Sequence, residues 1–219
     1  MRLSFTEENY LKQIYRLSKP GLAVSTNAIA ACIQTKASSV TDMLDKLADK
    51  KLVEYEKYKG VSLTGPGRKT ALAIVRKHRL WEVFLVEKLG FTWDKVHDIA
   101  EQLEHIDSDE LIEKLDLFLG KPKFDPHGDP IPDSSGKFPN QKLKILSDCS
   151  VGSNCVVMGV NDDSSAFLIH LNNSKLTLGT DIEILEIVEY DKSMKLQFLN
   201  ADEIYISSEV AKNILVNVK

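Results

Sequence analysis

The segment from residue 97 to residue 105 reads HDIAEQLEH and carries four side chains that can bind a metal ion. If the segment is an α-helix, His97, Glu101, Glu104 and His105 lie along one side of it. That side of a helix is usually where its apolar residues stand. A stripe of two imidazoles and two carboxylates therefore indicates either a solvated face or a binding site.

A second pair of the same kind occurs earlier in the chain. His78 and Glu82 are four residues apart in a long helical segment, so they also share one helix face. Each of these side chains, taken alone, is best explained as a structural or solvated residue. Six of them on two adjacent helices instead favour a divalent metal site, because imidazole and carboxylate groups suit Mn²⁺, Fe²⁺, Zn²⁺, Co²⁺ and Ni²⁺.

The same residues fit no familiar catalytic pattern. A di-iron bundle has Glu-x-x-His on two of its helices, whereas Glu101 and His105 are four residues apart and this pair has no second copy. The HExxH pattern of zinc proteases is absent, and GPGRK at 65–69 lacks the spacing of a phosphate-binding loop. We therefore expect a protein that is not an enzyme. A metal-binding helical enzyme is the alternative.

Charge is distributed unevenly along the 219 residues, whose net charge is −4. The first 80 residues contain 15 basic and 7 acidic side chains, a net charge of +8. Residues 81–140 carry −8, and residues 141–219 carry −4. A basic first third suggests contact with a polyanion such as DNA, and an acidic remainder suggests cation binding.

Cysteine usage and hydropathy predict a cytoplasmic protein that does not enter a membrane. Cys32, Cys149 and Cys155 form no CxxC pair, which is typical of reduced thiols. No apolar run approaches the roughly 18 residues of a membrane span. The first residues lack the apolar core of a signal peptide.

The first 63 residues predict a winged helix-turn-helix. Helical spacing of apolar residues indicates a helix capped by Thr6, followed by a short helix over 26–33. A longer helix over 37–51 has an apolar stripe on one side and polar residues on the other. A hairpin with its turn at 59–60 then forms the wing.

The polar start of the 37–51 helix and the tip of the hairpin are the candidate DNA contacts. Helix N-termini bind phosphates through their free N–H groups, and polar side chains there can reach base edges. Winged helices also serve as protein-interaction modules, so a metal-independent interaction module is a further alternative. The candidate DNA-binding residues are Lys36, Ser38, Ser39, Thr41 and Asp42 on the helix, and Lys57 and Lys59 on the wing.

The rest of the chain predicts three helices, a connector and a small β-barrel. The helices are expected over 68–90, 93–105 and 108–119, and the connector over 120–140 contains five prolines and three glycines. The expected strands are NCVVMGV, AFLIHL, DIEILEIVEY, KLQFLN and EIYISSEVAKNIL. The fold class is therefore mainly α with a β-rich C-terminal part.

Three of these motifs together resemble the DtxR/MntR family of metal-dependent transcriptional repressors: RKHRL at 76–80, KVHDIAEQLEHIDSDE at 95–110 and HGDPIP at 127–132. The resemblance covers essentially the whole chain. It implies a winged helix-turn-helix DNA-binding domain over 1–73 and a helical metal-binding and dimerisation domain over 74–140. An SH3-like, FeoA-type domain is implied over 141–219.

The same resemblance implies what the protein does. Members are homodimers that a divalent metal activates to bind an inverted-repeat operator in double-stranded DNA and so control metal homeostasis. The implied cofactor is Mn²⁺ or Fe²⁺, for which Zn²⁺, Co²⁺ or Ni²⁺ can substitute. Metal is expected to join the first helix to the dimerisation helices, which shifts an equilibrium toward the spacing of two operator half-sites.

The resemblance also implies a primary metal site shared by the first helix and the 97–105 segment. Glu101 stands where iron-type members have Cys and manganese-type members have Glu, and its hard oxygen favours Mn²⁺ over softer metals. Asn9 stands where those members have Met and Asp respectively, so we expect weaker binding at this site. The implied primary ligands are Asn9, Glu101, Glu104 and His105.

A second, ancillary site is implied on His78, Glu82 and His97, all three of which match the iron-type branch. Its further ligands are expected from the loop around Asp162 and Asp163 of the third domain.

Overall fold

The computed structural model describes residues 3–140 and 143–219. Residues 1–2 and 141–142, at the expected starts of the first and third domains, lie outside the described residues. In chain order the helices and strands are α1 (Phe5–Leu17), α2 (Thr26–Ile33), α3 (Ala37–Asp49), β1 (Val53–Glu56), β2 (Gly60–Leu63), α4 (Gly65–Glu87), α5 (His97–Leu103), α6 (Asp109–Phe118), β3 (Lys144–Ile145), β4 (Asn154–Val160), α7 (Ser165–Asn173), β5 (Asp181–Ile187), β6 (Met194–Phe198), β7 (Glu203–Ile206), α8 (Ser208–Lys212) and β8 (Ile214–Val218).

The chain divides into two compact units, and each takes residues from more than one part of the sequence. The first runs up to His78 and also includes Glu101–Asp109 and Pro132–Lys137. The second contains Arg79–Ala100, Glu110–Ile131 and the chain from Phe138 onward. Among the described helices, none is both long and apolar enough to cross a membrane.

Helix α1 begins two residues earlier than its sequence signal predicts, because Ser4 rather than Thr6 caps it. The Ser4 hydroxyl accepts a hydrogen bond from the Glu7 backbone N–H at 3.3 Å. The Glu7 carboxylate in turn accepts from the Ser4 N–H at 2.8 Å. This reciprocal capping box satisfies two backbone donors that the first helical turn leaves without a partner.

The winged helix-turn-helix prediction is confirmed in the first unit. Helix α3 buries Val40, Leu44 and Leu47 completely, at the spacing that the apolar stripe predicts. Strands β1 and β2 pair antiparallel, with Val53 opposite Leu63. The core of this unit consists of Tyr10, Leu11, Ile14, Val24, Ile29, Val40, Leu44, Leu47, Leu52, Val53, Val61 and Ala71.

Helix α4 begins at Gly65 instead of following the Gly-Pro-Gly sequence, so the helix predicted over 68–90 starts too late. The Thr64 hydroxyl accepts from the Gly67 N–H at 3.1 Å and caps this start. Pro66 is tolerated because the first helical turn needs no backbone donor there. A side chain at Gly67 would meet the Leu52 carbonyl oxygen at 1.8 Å, so glycine is required where the helix leaves the wing.

The second unit ends in a six-stranded antiparallel, SH3-like sheet of order β3-β8-β4-β5-β6-β7. Register shifts lie between Val157 and Gly159 and between Ile184 and Glu186. Its core includes Leu146, Val157, Leu168, Leu171, Ile182, Ile184, Leu196, Ile214 and Val216.

Two strand predictions in this region are wrong. AFLIHL lies in helix α7, whose N-terminal cap is Ser164 and which buries Leu168 and Leu171 on one face. EIYISSEVAKNIL is interrupted by helix α8, so it supplies strand β7 and the start of β8. A short apolar run fits a strand and a buried helix equally well by periodicity.

Candidate metal centres and nucleic-acid interface

Helix α3 presents the first half of the candidate DNA surface. Lys36, Ser38, Ser39 and Asp42 are exposed at its N-terminal end. Thr41 is half-buried, and its hydroxyl donates to the Ala37 carbonyl at 3.1 Å. Among the described residues, no side chain caps this helix start. Its free N–H groups and positive dipole end are therefore open to a phosphate.

The wing presents the second half. Lys57, Tyr58 and Lys59 are all exposed at the hairpin turn, and the Lys57 ammonium lies 5.6 Å from the centre of the Tyr58 ring. Lys59 pairs with Glu56 at 2.6 Å, and both side chains are mostly exposed. Exposed pairs of this kind contribute little to stability. The wing therefore offers two lysines for phosphate contact.

The segment at 97–105 does not form one helix, which corrects the expectation for 93–105. A short 3₁₀ turn covers Trp93–Lys95, helix α5 ends at Leu103, and Glu104 and His105 lie in the turn beyond it. The four side chains therefore do not share one helical stripe. Their positions are set by contacts with other elements.

Glu104 is the most buried carboxylate of the predicted primary site, with no exposed surface. Its Oε1 atom lies 2.6 Å from the Lys12 ammonium of helix α1. Its Oε2 atom lies 2.7 Å from Nδ1 of His78. Lys12 also contacts Oε1 of Glu101 at 3.2 Å. A lysine that sequence reasoning did not include therefore stands between the two predicted carboxylate ligands.

The two other predicted ligands of the primary site, His105 and Asn9, have different surroundings. His105 Nδ1 lies 2.6 Å from Oε2 of Glu8, and its ring stacks on Phe5 with ring centres 4.6 Å apart. His105 Nε2 is 3.8 Å from Glu104 Oε1. The Asn9 side-chain oxygen is buried, and among the described residues no donor is within hydrogen-bond distance of it. The Asn9 oxygen is thus an acceptor in need of a donor or a cation.

Glu82, buried in helix α4, is the centre of a second cluster. Its Oε1 atom lies 3.4 Å from Nδ1 of His97, and its Oε2 atom lies 3.6 Å from Nδ1 of His127. Ligand atoms of Glu82, Asp125 and His127 all lie within 4.8 Å of one another, and all three residues are buried. His78, predicted to join Glu82 and His97, lies one helical turn before Glu82 on α4.

A tight turn in the connector positions Asp125 and His127. Oδ1 of Asp125 accepts from the backbone N–H groups of His127 at 2.8 Å and Asp129 at 2.9 Å. Oδ2 of Asp125 lies 3.4 Å from Nε of Arg79, and the same guanidinium pairs with Asp129 at 2.7 Å. Arg79 therefore anchors the connector to helix α4.

Burial, with repulsion from Glu82 and Asp129, raises the pKa of Asp125 to about 7, against the opposing attraction of Arg79 and His127. Burial alone would lower the pKa of His127. Its close contact with Glu82 and its attraction to Glu82 and Asp125 instead raise that pKa to about 9. The carboxylates therefore favour a positive charge at this position, and a metal cation bound here would take the place of a proton.

A hydrogen bond orients the His127 ring. Its Nε2 atom lies 2.9 Å from the Trp93 carbonyl oxygen, and the Trp93 and His127 rings stack with centres 6.2 Å apart. Because a carbonyl only accepts, Nε2 carries a hydrogen and Nδ1 faces Glu82. A histidine whose second nitrogen is held in this way is oriented as a metal ligand. The residues of this cluster therefore fit a divalent cation.

The expected third-domain ligands follow strand β4, which is hydrogen-bonded to this connector. The N–H of Val160, at the end of strand β4, donates to the His127 carbonyl at 2.9 Å. Asp162 follows two residues later, half-buried, and its Oδ1 accepts from the Ser164 N–H at 2.9 Å. Asp163 is exposed.

Sequence reasoning missed Asp125 and His127 as candidate ligands, although it used their motif to recognise the family. The available signal was an acidic residue and a histidine two positions apart in a proline-rich segment, next to a histidine-rich helical region. Lys12 carried no signal, because a lysine on an amphipathic helix is usually exposed.

Comparison with known proteins matches three families along the chain. The N-terminal DNA-binding domain of iron-dependent repressors matches residues 2–61, and their metal-binding and dimerisation domain matches residues 64–133. The FeoA domain matches residues 144–218. The fold and the matches thus define a metal-dependent DNA-binding protein.

Relatives make the assignment specific. The chain is 32% identical to the iron-dependent repressor IdeR of Mycobacterium leprae over 162 residues, which are 70% of both chains. It is 35% identical to the diphtheria toxin repressor of Corynebacterium jeikeium over 58% of this chain, so it spans about half (53%) of that relative. The structure of a manganese-dependent transcriptional repressor in complex with manganese superposes with a TM-score of 0.86 at 35% identity, covering 97% of this chain and all of the other.

The chain therefore belongs to the iron-dependent repressor family, which consists of transcriptional repressors rather than enzymes.

Proposed function

We propose that this protein is a repressor that a divalent metal activates to bind operator DNA as a homodimer. The exposed, uncapped start of helix α3, the two wing lysines and the net charge of +8 over the first 80 residues support the DNA contact. The match to a dimerisation domain supports two copies. An operator with inverted symmetry follows, since two symmetric winged helices meet two half-sites. Such a protein acts where the DNA is, in the cytoplasm.

The observation that carries the metal dependence is the buried cluster of Glu82, Asp125 and His127. Two carboxylates and one oriented imidazole converge within 4.8 Å, a ligand set of hard oxygens and one nitrogen. Ligands of this kind suit Mn²⁺ and Fe²⁺, and the absence of a thiolate among these three disfavours softer metals. The residues that would hold the metal are Glu82, Asp125 and His127, with His97, His78, Asp162 and Asp163 as further candidates.

The metal acts by shifting an equilibrium. Glu82 on helix α4 and the connector residues Asp125 and His127 would together hold a divalent cation, and this shared binding would hold two segments of the second unit together. The protein exchanges between an arrangement that binds DNA and one that does not. Metal can raise the DNA affinity only to the extent that it binds the first arrangement more tightly than the second. Control of metal homeostasis follows if the operator lies before genes for metal uptake.

The test is DNA binding measured by fluorescence anisotropy against an inverted repeat selected from a random pool in the presence of Mn²⁺. We expect Mn²⁺ or anaerobic Fe²⁺ to raise the affinity at least about 10-fold, and EDTA to reverse it. Glu82→Gln should lower the Mn²⁺ affinity at least about 10-fold and abolish the stimulation.

Glu110→Gln is the matched control for this variant, because it neutralises an exposed carboxylate on helix α6, which pairs with Lys114 at 3.5 Å. It should keep full stimulation. DNA affinity that no divalent metal changes would refute metal activation, and unchanged stimulation in Glu82→Gln would refute this ligand set. Metal-independent capture of a protein partner would instead favour an interaction module.

A further inference from the structure

Lys12 of helix α1 stands where the resemblance predicts a metal ion. Its ammonium lies 2.6 Å from Oε1 of Glu104 and 3.2 Å from Oε1 of Glu101, residues 92 and 89 positions away in the chain. Both of these carboxylates were predicted as metal ligands. We propose that the Lys12 ammonium is the resident cation of the Glu101–Glu104 pair, and that this pair does not bind a divalent metal.

Burial makes Lys12 an integral part of the site. Its side chain is 3% exposed, and the Glu104 side chain is not exposed at all. A charged side chain is rarely buried to this degree unless an opposite charge compensates it. A metal ion on Glu104 Oε1 would lie about 2.1 Å from that oxygen, where it would meet the ammonium. Lys12 would then have to leave both carboxylates, and its buried charge would lose its partners.

The other donors of the predicted set are also engaged within the protein. Oε2 of Glu104 is in contact with His78 Nδ1 at 2.7 Å, so both oxygens of this carboxylate have a partner. His105 Nδ1 contacts Glu8 at 2.6 Å. The Asn9 oxygen, one helical turn before Lys12, is the buried acceptor described above. One neutral amide oxygen offers a divalent cation far less than two carboxylates.

Lys12 connects helix α1 to the 97–105 segment, a connection that was predicted to depend on a bound metal. Its ion pairs join helix α1 to Glu101 in helix α5 and to Glu104 in the turn after it. This connection needs no cofactor, so helix α1 is held in the absence of metal. On the proposed function, on which this inference rests, the metal response then depends on the cluster around Glu82 alone.

The experiment counts bound Mn²⁺ on the full chain, from the loss of the free-ion electron paramagnetic resonance signal. As single substitutions, Glu104→Gln should leave the number of bound Mn²⁺ ions per chain unchanged, and Glu82→Gln should lower it by about one ion per chain. Lys12→Met should raise it by about one ion per chain, since it leaves Glu101 and Glu104 without their cation. Adding Glu104→Gln to Lys12→Met should remove that gain.

Lys50→Met is the matched control, because Lys50 also pairs with a glutamate of helix α1, Glu7, at 2.5 Å. It should not change the stoichiometry. If Lys12→Met alone does not fold, the double variant, which neutralises both Lys12 and Glu104, shows whether the unpaired Glu104 charge prevented folding. The Mn²⁺ count of the single variant Glu104→Gln then still tests the proposal. A loss of about one ion in Glu104→Gln, or no gain in a folded Lys12→Met, overturns it. A wild type without Mn²⁺ refutes the proposed function instead, while a gain in Lys12→Met still supports the role of Lys12.

Discussion

Gly128 decides whether the connector can hold His127 in place, and Gly128→Ala tests this. Its φ of +86° lies in the left-handed region that disfavours side chains. A Cβ atom there would be 2.1 Å from the Met158 carbonyl oxygen and 2.2 Å from Cα of Gly159. Both are backbone atoms of strand β4, so no side-chain rotation relieves the overlap.

The size of the effect follows from these distances. Real Cβ contacts essentially never fall below 3.0 Å, so the connector and strand β4 must separate by about 1 Å. His127 precedes the glycine and is bound to strand β4 through Val160 N–H at 2.9 Å. Metal ligands tolerate errors of roughly 0.2 Å. We therefore expect Gly128→Ala to weaken Mn²⁺ binding about 10- to 100-fold, as disturbed ligand support usually does.

Gly152→Ala separates the steric overlap from backbone strain. Gly152 has a similar φ of +82°, but a Cβ atom there would meet no atom of the described residues within 4 Å. Both variants should lose about 1–2 kcal/mol of stability from the left-handed backbone. Mn²⁺ titration calorimetry and thermal unfolding measure the two effects. If Gly128→Ala binds Mn²⁺ like the wild type and unfolds like Gly152→Ala, the connector does not position a metal ligand.

Two further predictions concern the first unit. Burial alone would raise the pKa of Glu7, but the Lys50 ammonium and the Ser4 N–H lower it below its ordinary 4.5. The ionised Glu7 carboxylate therefore stabilises the folded protein above pH 4.5, and this stabilisation is lost as the pH falls through the pKa of the folded state. Glu7→Gln should therefore cost about 1–2 kcal/mol in urea unfolding at pH 7 and much less at pH 3; an equal cost at both would contradict this origin. Lys59→Ala on the wing should weaken DNA binding similarly on all sequences and reduce the slope of log affinity against log salt by about 1, whereas Lys114→Ala on helix α6 should not. A loss confined to one operator sequence would instead make Lys59 a base contact.

Local patterns predicted the winged helix-turn-helix well, because its helices and hairpin depend on neighbours close in sequence. The apolar stripe of helix α3 and the turn of the wing follow from periodicity and a glycine, and both are present. The helix cap at Ser4 was missed, since Ser4 and Thr6 are both good capping residues and only the backbone path selects one.

The second unit shows where periodicity fails. AFLIHL is apolar at five of its six positions, so its pattern does not distinguish a strand from a buried helix turn. Leu168 and Leu171, three residues apart, both pack into the core of the sheet, and this spacing matches a helix rather than a strand. The division of the chain at 73 and 140 stays a prediction.

The sequence by itself determined which chemistry is available: imidazoles and carboxylates in one region, a basic winged helix, and the motifs of a repressor family. Only the tertiary structure decided how these groups combine. It brought Asp125 and His127 of the connector to Glu82, and it buried Lys12 between Glu101 and Glu104. The reason is that a charge becomes a ligand, a counter-ion or a solvated residue according to its neighbours and its burial. For Lys12 those neighbours are about ninety residues away in the chain, where no local pattern extends.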